Sequence, residues 1–379
     1  QIAGGYPEAM NTEDPRLAGA YPAAALVAVT AVVLVLRYAR GRPRIDAAAM
    51  FLGTAAALGL SAKEAFTRHD LAPHQDTYFA VGLALLCLLA GLSRSGILPR
   101  LVIFGALVGL VPALVAFESL HSLDPWQRTL REVASPGSAR SLESESKAEG
   151  RAVYRVPPAV LREIGRHPIG VDPVDAALAV DYDLNWHPMP VFLSYTAYTA
   201  YLDDLNSRAA TAAPPDQYVL RRPDVVLDDR NPLWETPRYL LTLACRYQEV
   251  ARDARYTLLR HGTSECSPPT PLGESLVAPG RAVPVPDPVA HGMVVASFHP
   301  EDPSLLDTVT ALVFKPVTRL TVTVDGSDYR LPRALAPGPL VVSSSGVNAS
   351  GGVFPEFAYG SMTFSMPGTV TFAEVSRSG

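Results

Sequence analysis

The sequence has few charged residues and few cysteines. Only 18% of its 379 residues are Asp, Glu, Lys or Arg, against about 25% in a typical soluble protein. The formal net charge is −5 and no basic run is present, so nucleic acid is not an expected partner. Three cysteines exclude a disulfide-dense scaffold. The sequence also lacks a P-loop, a dinucleotide-binding fingerprint and a nucleophile elbow.

Prolines and apolar runs are unevenly distributed along the chain. Seven of the 35 prolines lie in residues 1–117, and the other 28 follow. Charged residues in this first part bracket four apolar stretches, of which the longest is about long enough to cross the roughly 30 Å core of a bilayer. We predict about four transmembrane helices, at residues 17–36, 47–62, 77–93 and 101–117. The alternative is a soluble helical bundle, whose core helices normally carry polar residues at helical spacing.

Arginines set the expected orientation of these helices. Four arginines lie in the loop 37–46 and two lie at the ends of the loop 94–100, so the positive-inside rule places both loops in the cytoplasm. The tail 1–16, the loop 63–76 and all residues after 118 then lie outside. We expect a multi-pass protein of the bacterial cytoplasmic membrane, with the lipid bilayer as a partner. Because the chain begins with Gln1 and no signal peptide precedes its polar tail, we expect the C-terminal part of a longer polytopic protein.

The remaining sequence predicts an extracytoplasmic α/β domain followed by an antiparallel β-sandwich. Residues 118–156 are interpreted as a linker, and the Ser-, Glu- and Pro-bearing part 135–150 as flexible. Short strand-like segments, among them residues 225–227, alternate with helical ones over 157–268. About seven segments of alternating polar and apolar residues follow in 269–379, as in a sandwich.

Two further signals concern the outer module. Asp325–Gly326 predicts a two-residue hairpin turn after an alternating strand. Cys245 and Cys266 fall on the outer side, where disulfides persist. The sequence does not decide whether these two cysteines are bridged, because it does not give their Cα separation.

The densest polar cluster lies directly after the second apolar stretch, in residues 63–76. If the helix continues, Glu64 and Arg68 share one face. Arginine clamps phosphates in bidentate fashion, and carboxylates and histidine transfer protons. The predicted substrate-binding residues are Lys63, Arg68 and His74, and the predicted catalytic residues are Glu64, His69 and Asp70. The alternatives are a solvated loop that anchors the helix and a divalent metal site formed with Asp76.

A second cluster lies in the outer module, where aromatic rings alternate with carboxylates and amides. Such rings stack on the apolar faces of sugars while polar side chains bind the hydroxyls. The predicted glycan-binding residues are Asp181, Asn185, Trp186 and Tyr195, joined in one cleft by Asp228 and Arg230. The alternatives are a proline-rich turn in which Trp186 fills the domain core, and an ion pair between Asp228 and Arg230 that fixes a turn.

Residues 63–74, 184–206 and 228–237 together resemble the glycosyltransferase C superfamily of polytopic membrane enzymes. The matching positions are Lys63, Phe66, Arg68, Asp70, Asn185, Trp186, Pro188, Pro190, Ser194, Tyr195 and Asn206. The resemblance covers about residues 50–240. It implies a membrane enzyme that uses a polyprenyl-phosphate sugar. No residue here matches the superfamily's catalytic Asp, which lies in the first outer loop.

Two classes of function follow from these observations. The first is a glycosyltransferase that moves a sugar from a polyprenyl-phosphate donor to an envelope glycan or lipid, with an acidic residue as general base. The second is a non-catalytic, membrane-anchored protein that binds or scaffolds envelope glycans. A subunit of a ligase or transporter for lipid-linked glycans is a third, weaker hypothesis.

Overall fold

The structure, a computed structural model, describes residues 12–13, 20–40, 42–69, 72–92, 136–287, 292–305, 308, 310 and 319–378. The chain divides into two compact units. We call the unit with the N-terminal apolar helices the helical unit, and the unit that begins at Pro136 the soluble unit.

The described residues of the helical unit form three helices and one very short parallel strand pair. Its elements are β1 (Thr12–Glu13), α1 (Ala20–Ala39), α2 (Arg44–Thr67), β2 (Arg68–His69) and α3 (Ala72–Leu92). β1 pairs with β2 in parallel. Phe66 lies in the core of the unit and stacks on Tyr21 with ring centroids 5.2 Å apart.

Two helices in the described residues, α1 and α2, are long and apolar enough to cross a membrane. The prediction of four such helices is not supported. The apolar part of α3 is Tyr78–Leu89, which spans only about 18 Å as a helix. The predicted helix at 101–117 lies outside the described residues.

The outward faces of α1 and α2 are strongly apolar. Leu26 is 68% exposed on α1, and Leu60 is 72% exposed on α2. A helix in the core of a soluble protein buries such side chains, whereas a membrane helix presents them to lipid. The exposed apolar faces of the two helices are therefore more compatible with lipid than with water.

The soluble unit begins with helix α4 (Pro136–Tyr154). The prediction of a flexible segment over residues 135–150 is wrong. Its Glu, Lys, Arg and Ala residues are good helix formers, and Glu143 pairs with Lys147 one turn later at 2.9 Å. Lys147 and Arg151 also reach Asp183, at 2.6 and 3.0 Å. These contacts with a residue outside the helix could not be predicted from the composition of the segment itself.

A four-stranded mixed sheet follows α4, with helices around it. The elements are α5 (Pro158–Ile164), β3 (Ile169–Asp172), α6 (Ala177–Asp181), a 3₁₀ turn (Ser194–Thr196), α7 (Ala200–Thr211), β4 (Tyr218–Arg221), α8 (Pro237–Arg246), β5 (Tyr247–Arg252) and β6 (Thr257–His261). The strand order is β3-β4-β6-β5, and only the β3–β4 pair is parallel. The predicted α/β character of this region is confirmed, but residues 225–227 are irregular rather than a strand.

Two antiparallel sheets form the C-terminal part of the unit. The elements are β7 (Thr270–Val277), β8 (Ala282–Pro284), β9 (Gly292–Pro300), β10 (Thr321–Val324), β11 (Ser327–Arg330), β12 (Leu340–Ser345), α9 (Val347–Ser350), β13 (Glu356–Ala358), β14 (Ser361–Phe364) and β15 (Gly368–Ser376). The sheet orders are β11-β10-β14-β8 and β13-β12-β9-β15-β7. Phe298 and Phe364 stack between the sheets with centroids 4.1 Å apart. The two sheets share one core, which is a sandwich.

Helix α8 packs on the outer face of the five-stranded sheet. Leu240 and Leu243 of α8 share a core with Val295 of β9 and Val341 of β12. A disulfide between Cys245 and Cys266 links the end of α8 to the segment before β7, which settles the question that the sequence left open. The α/β part therefore packs directly on the sandwich, and the disulfide ties α8 to the segment that connects the two.

Candidate functional site

The structure describes only part of the polar cluster predicted at residues 63–76. Lys63 is half-buried and Glu64 is exposed near the end of α2. The helix ends at Thr67 and Arg68 belongs to β2, so the expectation that Glu64 and Arg68 share a helical face is wrong. Asp70 lies outside the described residues, as do the side chains of Arg68, His69, His74 and Asp76. The metal and phosphate hypotheses built on them stay predictions.

The second predicted cluster lies on the soluble unit, where its backbone is fixed to β3. The N–H of Ile169 donates to the carbonyl of Asn185 at 3.0 Å, and the N–H of His187 donates to the carbonyl of Ile169 at 2.9 Å. The Gln217 amide also donates to the carbonyl of His187 at 3.2 Å. Trp186 therefore projects from a backbone that is hydrogen-bonded on both sides of it.

Trp186 does not fill the core, so the core-filling alternative is wrong. Its side chain is 37% exposed, and it meets the 48% exposed ring of Phe192 edge to face, with centroids 6.0 Å apart. Asn185 and His187 are exposed on either side of Trp186. We call Asn185, Trp186, His187 and Phe192 the aromatic surface.

Asn206 of α7 holds the far end of the aromatic surface. Its side-chain carbonyl accepts from the N–H of Val191 at 2.8 Å, and its amide donates to the carbonyl of Val191 at 3.0 Å. Asn206 is fully buried, so no water competes for these bonds. This contact fixes the residue before Phe192.

Asp181 is not part of the aromatic surface. Its carboxylate lies against Gly150 of α4, so closely that a Cβ at Gly150 would be 2.0 Å from Oδ2. Asn185 is exposed on that surface, and its amide donates to the carbonyl of Arg166 at 3.1 Å. Asn185 and Trp186 therefore lie together on the aromatic surface, and Asp181 lies apart from them.

Tyr195, Asp228 and Arg230 do come together, around the buried guanidinium of Arg230. The Arg230 guanidinium donates to the carbonyl of Tyr195 at 2.9 Å and lies 3.9 Å from the Asp228 carboxylate. Arg230 is only 1% exposed. The ion-pair alternative from the sequence describes this segment better than a surface sugar site does.

A larger group of buried charges surrounds Arg230, and we call it the junction network. It consists of Asp172, Arg221, Asp228, Arg230 and Glu235. Arg221 donates to the Asp172 carboxylate, which also accepts from the Ser194 hydroxyl. Sequence reasoning missed Asp172, Arg221 and Glu235 as a group, because they come from different elements and only the fold brings them together.

Glu235 is the most perturbed carboxyl in the junction network. Burial outweighs the attraction of the Arg230 and Arg221 guanidiniums and raises the pKa of Glu235 to about 8. Arg230 lies 3.9 Å from the Glu235 carboxyl, which is too far for a hydrogen bond. The Glu235 carboxyl is therefore mainly protonated at neutral pH. At 3% exposure it is enclosed, and a ligand would not reach it.

Among the residues that the structure describes, no three His, Cys, Asp or Glu side chains are grouped as metal ligands. Comparisons with protein-family models, with curated proteins and with solved structures find no match to this chain. The geometry of the soluble unit is therefore the basis for a functional assignment.

Proposed function

We propose that this chain is a membrane-anchored glycan-binding protein of the bacterial cell envelope. The observation that carries the proposal is the aromatic surface, where Trp186 and Phe192 expose their rings side by side. Large apolar rings that are exposed next to each other form an apolar patch, and such patches mark interaction or ligand-binding sites. A sugar ring matches such a surface, with C–H faces that cover the rings and hydroxyls that bind the amide of Asn185.

The backbone of the aromatic surface is held before any ligand arrives. β3 fixes Asn185 and His187, and Asn206 fixes Val191. A surface that is already ordered loses little conformational entropy on binding, so more of the contact energy contributes to affinity. This arrangement favours a binding role.

The proposed location rests on α1, α2 and the disulfide. Two helices are long and apolar enough to anchor the chain in a bilayer. The bridge between Cys245 and Cys266 is typical of an oxidising compartment such as the periplasm. We therefore place the soluble unit outside the cytoplasmic membrane.

A binding experiment on the purified 379-residue chain in detergent micelles tests the proposal. We expect calorimetry with a panel of neutral, N-acetylated and acidic envelope oligosaccharides to find a ligand, and Trp186→Ala to weaken its binding about tenfold or more. Tyr201→Ala is the matched control, because Tyr201 is 53% exposed and is not part of the aromatic surface. Binding unaffected by Trp186→Ala, or no binding to the panel, would contradict the proposal.

The glycosyltransferase hypothesis stays a prediction beside this proposal. The residues assigned to it, from Lys63 to His74, lie in the helical unit, and most of their side chains lie outside the described residues. Formation of a glycosylated product from a polyprenyl-phosphate sugar is the observation that would favour it over simple binding.

A further inference from the structure

A cleft of about 330 Å³ opens between α7 and α8, beside the disulfide. Ser207 of α7 and Thr242 of α8 line it, together with Arg238, Arg246, Glu265 and the bridged Cys245. Its size is at the lower end of the range for ligand sites, about 300–1,000 Å³, and it suits a single small ring. None of these residues belongs to the aromatic surface or to the junction network.

The walls of the cleft are fixed by contacts below it. Asp203 of α7 accepts from the backbone N–H groups of Arg238 and Tyr239 at 2.9 and 3.0 Å. It thus caps the first turn of α8, where the N-cap residue Thr236 makes no side-chain capping bond. The disulfide fixes the other end of α8. Both ends of one wall are therefore held.

The hydroxyls that line the cleft already donate their protons in hydrogen bonds within the protein. The Thr242 hydroxyl donates to the carbonyl of Arg238 at 2.9 Å. It lies 2.7 Å from the Ser207 hydroxyl, so Ser207 must be the donor in that pair, because each hydroxyl has one proton. The Thr211 hydroxyl donates to the carbonyl of Ser207 at 2.9 Å. These oxygens have lone pairs left, and they suit a ligand that carries hydroxyl donors.

Of the charged side chains that line the cleft, the Arg238 guanidinium is available to pair with an anionic ligand. Arg246 pairs with Glu265 at 2.7 Å, and Asp204 pairs with Arg208 at 3.2 Å. The Arg238 guanidinium is exposed and makes no ion pair or hydrogen bond with any residue in the described parts of the chain. A guanidinium presents parallel N–H donors that match a carboxylate or a phosphate.

We infer that this cleft binds an anionic monosaccharide unit. The negative group pairs with Arg238, and the ring hydroxyls donate to Ser207, Thr211 and Thr242. The shared chemistry is a hydroxylated ring with one anionic group, which is either the carboxylate of a uronic acid or a sugar phosphate. This site goes beyond the proposed glycan surface and does not depend on Trp186.

Calorimetry on the whole chain in detergent micelles tests the inference with four probes. D-glucuronate and D-glucose 6-phosphate carry both features, D-glucose lacks the charge, and acetate lacks the ring. We expect one of the two anionic sugars to bind at least about tenfold more tightly than glucose and acetate. The anionic sugar that binds identifies the source of the negative group.

Two variants locate the binding. We expect Arg238→Gln to weaken binding of the anionic sugar about tenfold, whereas the control Arg162→Gln leaves it unchanged, because Arg162 is exposed on α5 and does not line the cleft. Trp186→Ala should also leave it unchanged, which separates this site from the aromatic surface. Equal binding of all four probes, no binding of either anionic sugar, or wild-type binding by Arg238→Gln would overturn the inference.

Discussion

Two segments of the soluble unit contain similar residues and place them in opposite environments. Residues 185–192 and 228–236 each combine Trp, Asn and Pro with charged or aromatic neighbours. In the first segment Trp186 is 37% exposed, whereas in the second Trp234 is 2% exposed and lies in the sandwich core. The Trp234 indole donates to the carbonyl of Val341 at 2.8 Å. Residue types therefore do not distinguish an exposed tryptophan from a buried one, whereas the packing and hydrogen-bond partners of the indole do.

The largest expected effect separates the two tryptophans. Trp234→Ala removes a ring that packs edge-on against Tyr329 and Tyr359, and should lower the free energy of unfolding by about 3–5 kcal/mol. Trp186→Ala should change it by less than about 0.5 kcal/mol. Urea unfolding of the detergent-solubilised chain, followed by circular dichroism, measures both values. Equal losses in the two variants would mean that Trp186 also has a structural role.

A second comparison tests buried against exposed charge pairs. Arg221→Met leaves Asp172 buried without its guanidinium, and both residues are 3% exposed at their side chains. We expect a loss of about 3 kcal/mol in unfolding free energy. Arg151→Met is the control, because Arg151 pairs with Asp183 at the surface, and its unfolding midpoint should match that of the wild type. A stable Arg221→Met variant would show that the junction network contributes little to the fold.

A third expected effect is a pH dependence of stability caused by Glu235. Its folded pKa of about 8 lies above the ordinary value of 4.5, so the folded state holds its proton more tightly. The corresponding stability is fully present below pH 4.5 and is lost as the pH rises towards 8, by at most about 1.4 kcal/mol per pH unit. We expect Glu235→Gln to unfold at the same urea concentration as the wild type near pH 5 and at a higher one at pH 8. If both proteins lose the same stability between these pH values, Glu235 is not the titrating group.

Local signals predicted part of the fold well. Asp325 and Gly326 both have positive φ, 50° and 75°, and join β10 to β11 with Val324 opposite Ser327. This is the two-residue turn that Asp-Gly favours. The alternation in 320–324 likewise marks a strand with one buried face. Such features depend on neighbouring residues alone.

The predictions failed for segments whose structure depends on contacts with residues that are distant in sequence. The sequence of strand β7 has no alternation of polar and apolar residues, because the strand lies at a sheet edge and is exposed along most of its length. Helix α4 is held by Asp183, more than 30 residues away in sequence. The junction network could not be predicted, since Asp172 and Arg221 meet only when β3 pairs with β4. For the candidate site, the residue composition did not predict that the Trp186 side chain is exposed.

The bond between Cys245 and Cys266 has a consequence for chain integrity. It encloses the hairpin of β5 and β6, whose turn includes the exposed Ala254. A protease cut within that hairpin would break the polypeptide and leave both halves covalently attached. The cut protein would migrate as one species under oxidising conditions and separate into two fragments only after reduction. The soluble unit can therefore be cut there without releasing the C-terminal sandwich from the rest of the chain.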